Sequence, residues 1–339
     1  APGELQKELH EMNECMPHYY RITNGHGLGA ELVMAAEASF MQGRLHEAEI
    51  GIECARTKIA GSGQENMALC CDFLAWRLSL CADVEMRYSF EQRREQLLRQ
   101  HNAAWLNILD AASAYYHALL GKTERIPEVF SAHRLSSISI LAPGKPMAEM
   151  IENQVLLAQG AYAKVIGRSE GQLAVCEAMH YALVALHVRL QTAAAYEALG
   201  KHAEACRLLD QALKDAAPDW IMIPFVENYA YIKPTLQYCS GQPELIGSSV
   251  RLGEAMSARK KAAPDAGSRP AEFAALTDRE YEIASLTLRR LSNREIAEKL
   301  FLSEGSVKQY MKQIYSKLGI QGDTRTKRKQ LSELMQQNF

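Results

Sequence analysis

The 339-residue chain holds few residue groups that could do chemistry. Its eight cysteines are Cys15, Cys54, Cys70, Cys71, Cys81, Cys176, Cys206 and Cys239. None is spaced C-x-x-C, and none joins histidines at zinc-ligand spacing. They sit within apolar helical patterns and read as reduced, buried thiols of a cytosolic protein. The ten histidines form no H-E-x-x-H, and the chain has no G-x-x-x-x-G-K-[ST] phosphate loop. Gly25-His-Gly-Leu-Gly29 precedes no Lys-Ser/Thr and follows no strand pattern, so it is not read as a nucleotide site. No enzyme, cofactor or metal is therefore expected. What remains is Lys308, Gln309 and Lys312, a close set of hydrogen-bond donors on a face that is open to solvent or nucleic acid.

The surrounding elements explain that face. Thr277 and Glu280 form a T-x-x-E capping box before an apolar run, and Ser292 and Glu295 repeat the device before Ile296, Ala297 and Leu300. Phe301-Leu302 read as a turn, and Ser303 can cap the next helix. In that helix Val307, Met311, Ile314 and Leu318 step by four, three and four, which makes one buried stripe. Lys308, Gln309 and Lys312 fall off the stripe. Gly319 ends the helix, and a fourth helix is expected from about Asp323 to Gln336. A short helix, a brief turn and a longer helix with a polar, basic outer face describe a helix-turn-helix.

These residues resemble a known family. Leu276-Thr277, Arg279-Glu280, Leu291-Ser-Asn293, Glu295-Ile-Ala297, Leu300, Leu302-Ser303, Val307-Lys308 and Ile314-Tyr315-x-Lys317-Leu318-Gly319 are similar to the LuxR/GerE-type domain, gap-free over about 45 residues. Arg290 replaces the usual Gly, Thr287 a common Leu, Ser306 a Thr and Tyr310 a frequent His, and Gly305 falls in the first turn of the recognition helix. The resemblance implies that Lys308, Gln309 and Lys312 meet base edges in the major groove of double-stranded DNA. It assigns Arg294, Ser303, Ser306 and Tyr310 to the sugar-phosphate backbone. It also implies a homodimer paired through the fourth helix, with half-sites about 34 Å apart, and RNA polymerase as a further partner.

Upstream, a break between helices recurs at Gly43, Ala82, Gly121, Gly160, Gly200 and Gly241, at intervals of 39, 39, 39, 40 and 41. Each unit reads as a helical hairpin. In the first, Leu32, Ala35, Ala36 and Ser39 form one stripe, and Leu45, Ala48, Ile52 and Ala55 form the other. A hairpin cannot bury both stripes alone, so neighbours must stack. Ala36, Gly43, Ala48 and Ala55, then Ala193, Tyr196, Gly200, Ala205 and Ala212, resemble the tetratricopeptide repeat, in the stretched form of MalT-like sensor domains. The expected fold is all-α: a tetratricopeptide-like solenoid with a concave face, then a four-helix LuxR-type helix-turn-helix. The repeat domain spans 1–255, a Pro/Gly-bearing linker 256–273 and the DNA-binding domain 274–339. The aromatic residues Trp76, Trp105, Tyr115, Tyr116, Trp220, Tyr229, Tyr231 and Tyr238 are expected in the core. The repeats would sense a small-molecule or protein effector.

Charge supports the division. Residues 273–339 hold 12 Lys or Arg against 8 Asp or Glu, net +4, whereas residues 1–272 hold 26 against 32, net -6. No signal-peptide core is present, and no run of 18 apolar residues crosses a membrane. The chain starts with Ala rather than Met, which leaves room for an upstream domain. The competing expectations are a fragment of a MalT-like signal-transduction ATPase and an interaction scaffold whose helix-turn-helix does not bind DNA.

Overall fold

Glycine and proline punctuate the helices. The computed structural model describes residues 2–84, 86–100, 105–138, 140, 142–239, 241–262, 273, 276–288, 291–300 and 302–336. Among these, every regular element is helical, and the chain divides into two compact units, Ala1–Lys261 and Ala262–Phe339.

The first unit opens with α1 (Leu5–Ile22), which has no fully buried residue. Helical pairs follow: α2 (Ala30–Met41) with α3 (Leu45–Ile59), α4 (Glu65–Ser79) with α5 (Phe90–Arg99), and α6 (Leu106–Leu120) with α7 (Glu128–Ser131). Then come α8 (Lys145–Ala158) with α9 (Tyr162–Ala178), α10 (Ala182–Ala198) with α11 (His202–Ala216), and α12 (Ile223–Leu236) with α13 (Pro243–Ala262). The turns between partners fall at the breaks expected from the 39–41 residue period. Gly43 and Gly160 there adopt left-handed φ values of 74° and 73°, which a side chain disfavours. In the last pair the left-handed residue is Gln242 (φ 59°), one position beyond the expected Gly241.

The third pair is incomplete. α7 is a single turn beside short 3-10 turns, because Pro127 and Pro143 interrupt the stretch after α6. Phe130, fully buried, anchors it to the core. Elsewhere small residues set the spacing. Ala36, Ala48, Ala193 and Ala205 are buried, and a Cβ on Gly51 would lie 2.8 Å from that of Ala36.

The first helices of the pairs form a row in which α2 packs on α4, α4 on α6, α6 on α8, α8 on α10 and α10 on α12. The row then closes, because α12 packs back on α2. At this seam the Met222 amide donates to the Met41 carbonyl at 2.8 Å and Gln42 Nε2 donates to the Asp219 carbonyl at 2.7 Å. The expectation was a superhelix with a concave face; here the row of first helices closes on itself. The inward-facing side chains meet one another instead. Arg77 of α4 forms a fork on Glu227 of α12, Nε–Oε1 2.8 Å and Nη2–Oε2 3.2 Å. Tyr115 of α6 donates to the same carboxylate at 2.7 Å, and its hydroxyl lies 3.5 Å from Nδ1 of His187 on α10. Phe40 and Phe73 cover the guanidinium. A buried ion pair survives only when both charges are paired and hydrogen-bonded, as here. Burial drives the His187 pKa down to about 4, helped by the Arg77 charge, so the imidazole is neutral.

Three further expectations change. Trp76, Tyr115 and Tyr229 are buried and Trp105, Tyr116 and Tyr231 are half-buried, but Trp220 is 36% and Tyr238 73% exposed. Cys71, Cys81 and Cys176 are buried, whereas Cys15, Cys54 and Cys70 are exposed; all eight are free thiols. The stretch read as linker from residue 256 begins as helix, since α13 continues to Ala262 and buries Met256. The rest of that stretch, 263–272, lies outside the described residues.

The second unit contains α14 (Asp278–Leu288), α15 (Asn293–Leu300), α16 (Glu304–Lys317) and α17 (Thr324–Gln336). α14 packs on α16 and α17, and α15 packs on α16. Their core is Phe273, Leu276, Ile283, Ala284, Leu286, Ile296, Ala297, Val307, Met311, Ile314 and Leu331.

Candidate nucleic-acid interface

Helix caps set the geometry of the second unit. The Thr277 amide donates to Glu280 Oε2 at 2.6 Å, and the Glu280 amide donates to Thr277 Oγ1 at 3.3 Å. Ser292 and Glu295 repeat the exchange at 2.7 and 3.3 Å. Both expected capping boxes are thus formed, and each satisfies amides that the first turn leaves without partners. Lys317, at the end of α16, pairs with the buried Glu280 at 2.6 Å. Burial would raise the Glu280 pKa, but the bonds from Lys317 and Thr277 outweigh it and hold the carboxyl below its ordinary range. The pair ties the end of α16 to the start of α14.

α16 has two faces. Val307, Met311 and Ile314 are buried and Leu318 is half-buried. Lys308, Gln309 and Lys312 are exposed on the other side. These three expected base readers therefore share one open face of a single helix. The expected phosphate holders are less uniform. Arg294 is exposed on α15. Ser303 is the N-cap of α16: its Oγ accepts from the Ser306 amide at 3.0 Å and lies 2.8 Å from the Ser306 hydroxyl. Both hydroxyls are engaged in capping before any phosphate arrives. Tyr310 is half-buried, its ring packed against the unit's core. Arg290 and Phe301 lie outside the described residues.

Two residues that the sequence did not single out make contacts that organise this unit. Arg328 of α17 donates to Asn293 Oδ1 at 2.8 Å and to the Leu291 carbonyl, clamping the loop before α15. Glu304, in the first turn of α16, pairs with Lys308 at 2.8 Å, four residues on. Its carboxyl is held below its ordinary pKa by the Lys308 hydrogen bond and charge, with the Arg294 charge adding to the effect. Glu–Lys spacing of i, i+4 was the available signal for the second. No sequence rule pairs residues 35 and 37 apart, so the first had none.

Residues 274–328 match the family described as "Bacterial regulatory proteins, luxR family", the GerE type. A 56-residue stretch is 43% identical to "Transcriptional regulatory protein LnrK" of Bacillus subtilis (strain 168) and covers 16% of this chain. The match spans about a quarter (26%) of that protein's length. No solved structure matches the chain. The C-terminal part is thus a LuxR-type DNA-binding domain. Among the described residues, no helix is long and apolar enough to cross a membrane, and no cluster of His, Cys, Asp or Glu could hold a metal.

Proposed function

We propose that this chain is a cytoplasmic, non-enzymatic transcription regulator that binds promoter DNA as a homodimer. The observation that carries it is the open Lys308–Gln309–Lys312 face of α16, held by α14 and α15 within a unit that matches the LuxR family. In the major groove Lys308 and Lys312 donate to guanine O6 and N7, and Gln309 pairs with the adenine N6/N7 edge. Arg294 neutralises a phosphate, and the capped start of α16 brings its backbone amides to another. Ser303, Ser306 and Tyr310 line this approach. α17 pairs two copies on a two-fold axis and sets half-sites about 34 Å apart.

The relative's description as a transcriptional regulatory protein supports the same reading for this chain. The helical pairs of the first unit keep the tetratricopeptide-like pattern and serve as the sensor or partner domain that controls access to DNA and RNA polymerase. Its centre is filled by the Arg77–Glu227–Tyr115–His187 network, so a small-molecule or protein effector engages its rim or outer surface. The test is salt-dependent binding of the full chain to a selected operator, followed by footprinting. Two protected half-sites one turn apart are expected, and binding weakens linearly in log salt. A full chain that ignores both selected and random DNA at low salt overturns the proposal.

A further inference from the structure

The recognition face carries an acid that a simple phosphate-binding surface would not keep. Glu304, Lys308 and Lys312 stand at i, i+4 and i+8 on α16, so they form a single stripe. Glu304 leads it. Its carboxylate holds the Lys308 ammonium at 2.8 Å and feels the Arg294 charge from α15. One carboxylate thus offsets two cations assigned to DNA. It does so at the N-terminal end of the helix, the end that contacts base edges in a helix-turn-helix. The pair is open to water, with side chains 63% and 48% exposed, so it exchanges freely when a competitor arrives.

We propose that Glu304 is a specificity-determining residue, an acidic selector that suppresses binding to random DNA and favours a site presenting a cytosine amine. The inference rests on the DNA-binding function proposed above. On random sequence the carboxylate faces phosphates on both walls of the groove and keeps Lys308 neutralised, so each encounter is weakened. In the groove a carboxylate accepts from the cytosine N4 amine, and Lys308 is then free to turn to a neighbouring guanine. The selector thus exchanges one ion pair for two base contacts only where the sequence provides both partners.

A purely local role is the rival. An acid in the first turn also stabilises the helix through its dipole and the i, i+4 pair. The experiment separates the two. An operator is selected in vitro with the wild-type full chain, and affinities for operator and random duplex are measured across salt. E304Q keeps the shape and removes the charge. It should bind random DNA about tenfold more tightly, and its log–log salt slope there should steepen by roughly one unit as Lys308 is released. Operator binding should gain little, so the operator-to-random ratio falls about tenfold, and reselection with E304Q should lose a cytosine preference at one position per half-site. E304D, which keeps the charge but falls short of the amine, should leave random binding at the wild-type level and weaken the operator alone. A ratio unchanged within twofold in E304Q, or parallel losses on both duplexes with a lower melting temperature, overturns the selector. Failure of the wild-type chain to bind any DNA would instead strike the proposed function.

Discussion

At the scale of single residues, the interface separates side chains that are free to meet DNA from those already employed by the fold. Lys312 and Gln309 are exposed on α16, and Lys308 is paired with the solvent-accessible Glu304. None belongs to the core stripe, so replacing one should leave the unit folded. Lys308→Ala or Lys312→Ala should cost about 1–3 kcal/mol on the operator and much less on random DNA. Arg294→Ala should weaken both duplexes alike and reduce the salt slope by roughly one unit, because one phosphate contact is lost. Titrations at several salt concentrations decide between these patterns; equal losses on both duplexes for the two lysine variants would reduce them to backbone neutralisation. A second residue-scale consequence lies in the buried network. His187 has a folded pKa of about 4 against 6.5 when solvated. Between those values the unfolded chain binds a proton that the folded one refuses. Stability from this group is therefore complete above about pH 6.5 and is lost as pH falls toward 4, by roughly 3 kcal/mol in all. Urea midpoints at pH 5 and pH 7 test this, and His187→Gln should flatten the difference.

At the scale of elements, local sequence rules were sufficient for the helix caps and the two-faced α16 of the second unit. T-x-x-E at Thr277 and S-x-x-E at Ser292 became reciprocal caps because a capping box needs only atoms three residues apart. The same locality makes Gly305 informative. It lies within helical α16, and a Cβ there would come no closer than 3.6 Å, to Ser303 Oγ. Gly305→Ala should stabilise the unit by up to about 1 kcal/mol through the reduced freedom of the unfolded chain, seen as a higher melting temperature of the full protein. A lower melting temperature would mean that the helix start is strained. Tyr310, assigned by resemblance to the DNA backbone, is half-buried with its ring against the unit's core. Locality also explains one departure. In the third pair the period supplied a slot for a full helix, but Pro127 and Pro143 reduced it to the single turn of α7.

At the scale of the whole molecule, closure changes how the first unit should respond to truncation. An open repeat array loses stability in steps as terminal repeats are removed. Here α12 supplies Glu227 to Arg77 and Tyr115, and it seals the seam against α2. Deleting residues from 217 onward would take Glu227 from Arg77 and leave it with the longer contact to Glu37 at 3.6 Å, at a cost on the order of 3 kcal/mol on top of the lost packing. The truncated 1–216 chain should therefore lose cooperative thermal unfolding by circular dichroism, whereas a sharp transition near that of the full chain would mean an open array after all. The sequence alone determined the helical class, the spacing of the breaks between paired helices, the caps and the two-faced recognition helix. Each of these is written in contacts within about one helical turn, or in a period that repeats along the chain. Only the tertiary structure decided that the row closes, that Glu227 meets a guanidinium 150 residues away, and that Arg328 clamps the loop before α15. Those contacts depend on the cumulative rotation between successive helical pairs and on which long side chains the closed geometry brings together, and neither is encoded in a local pattern.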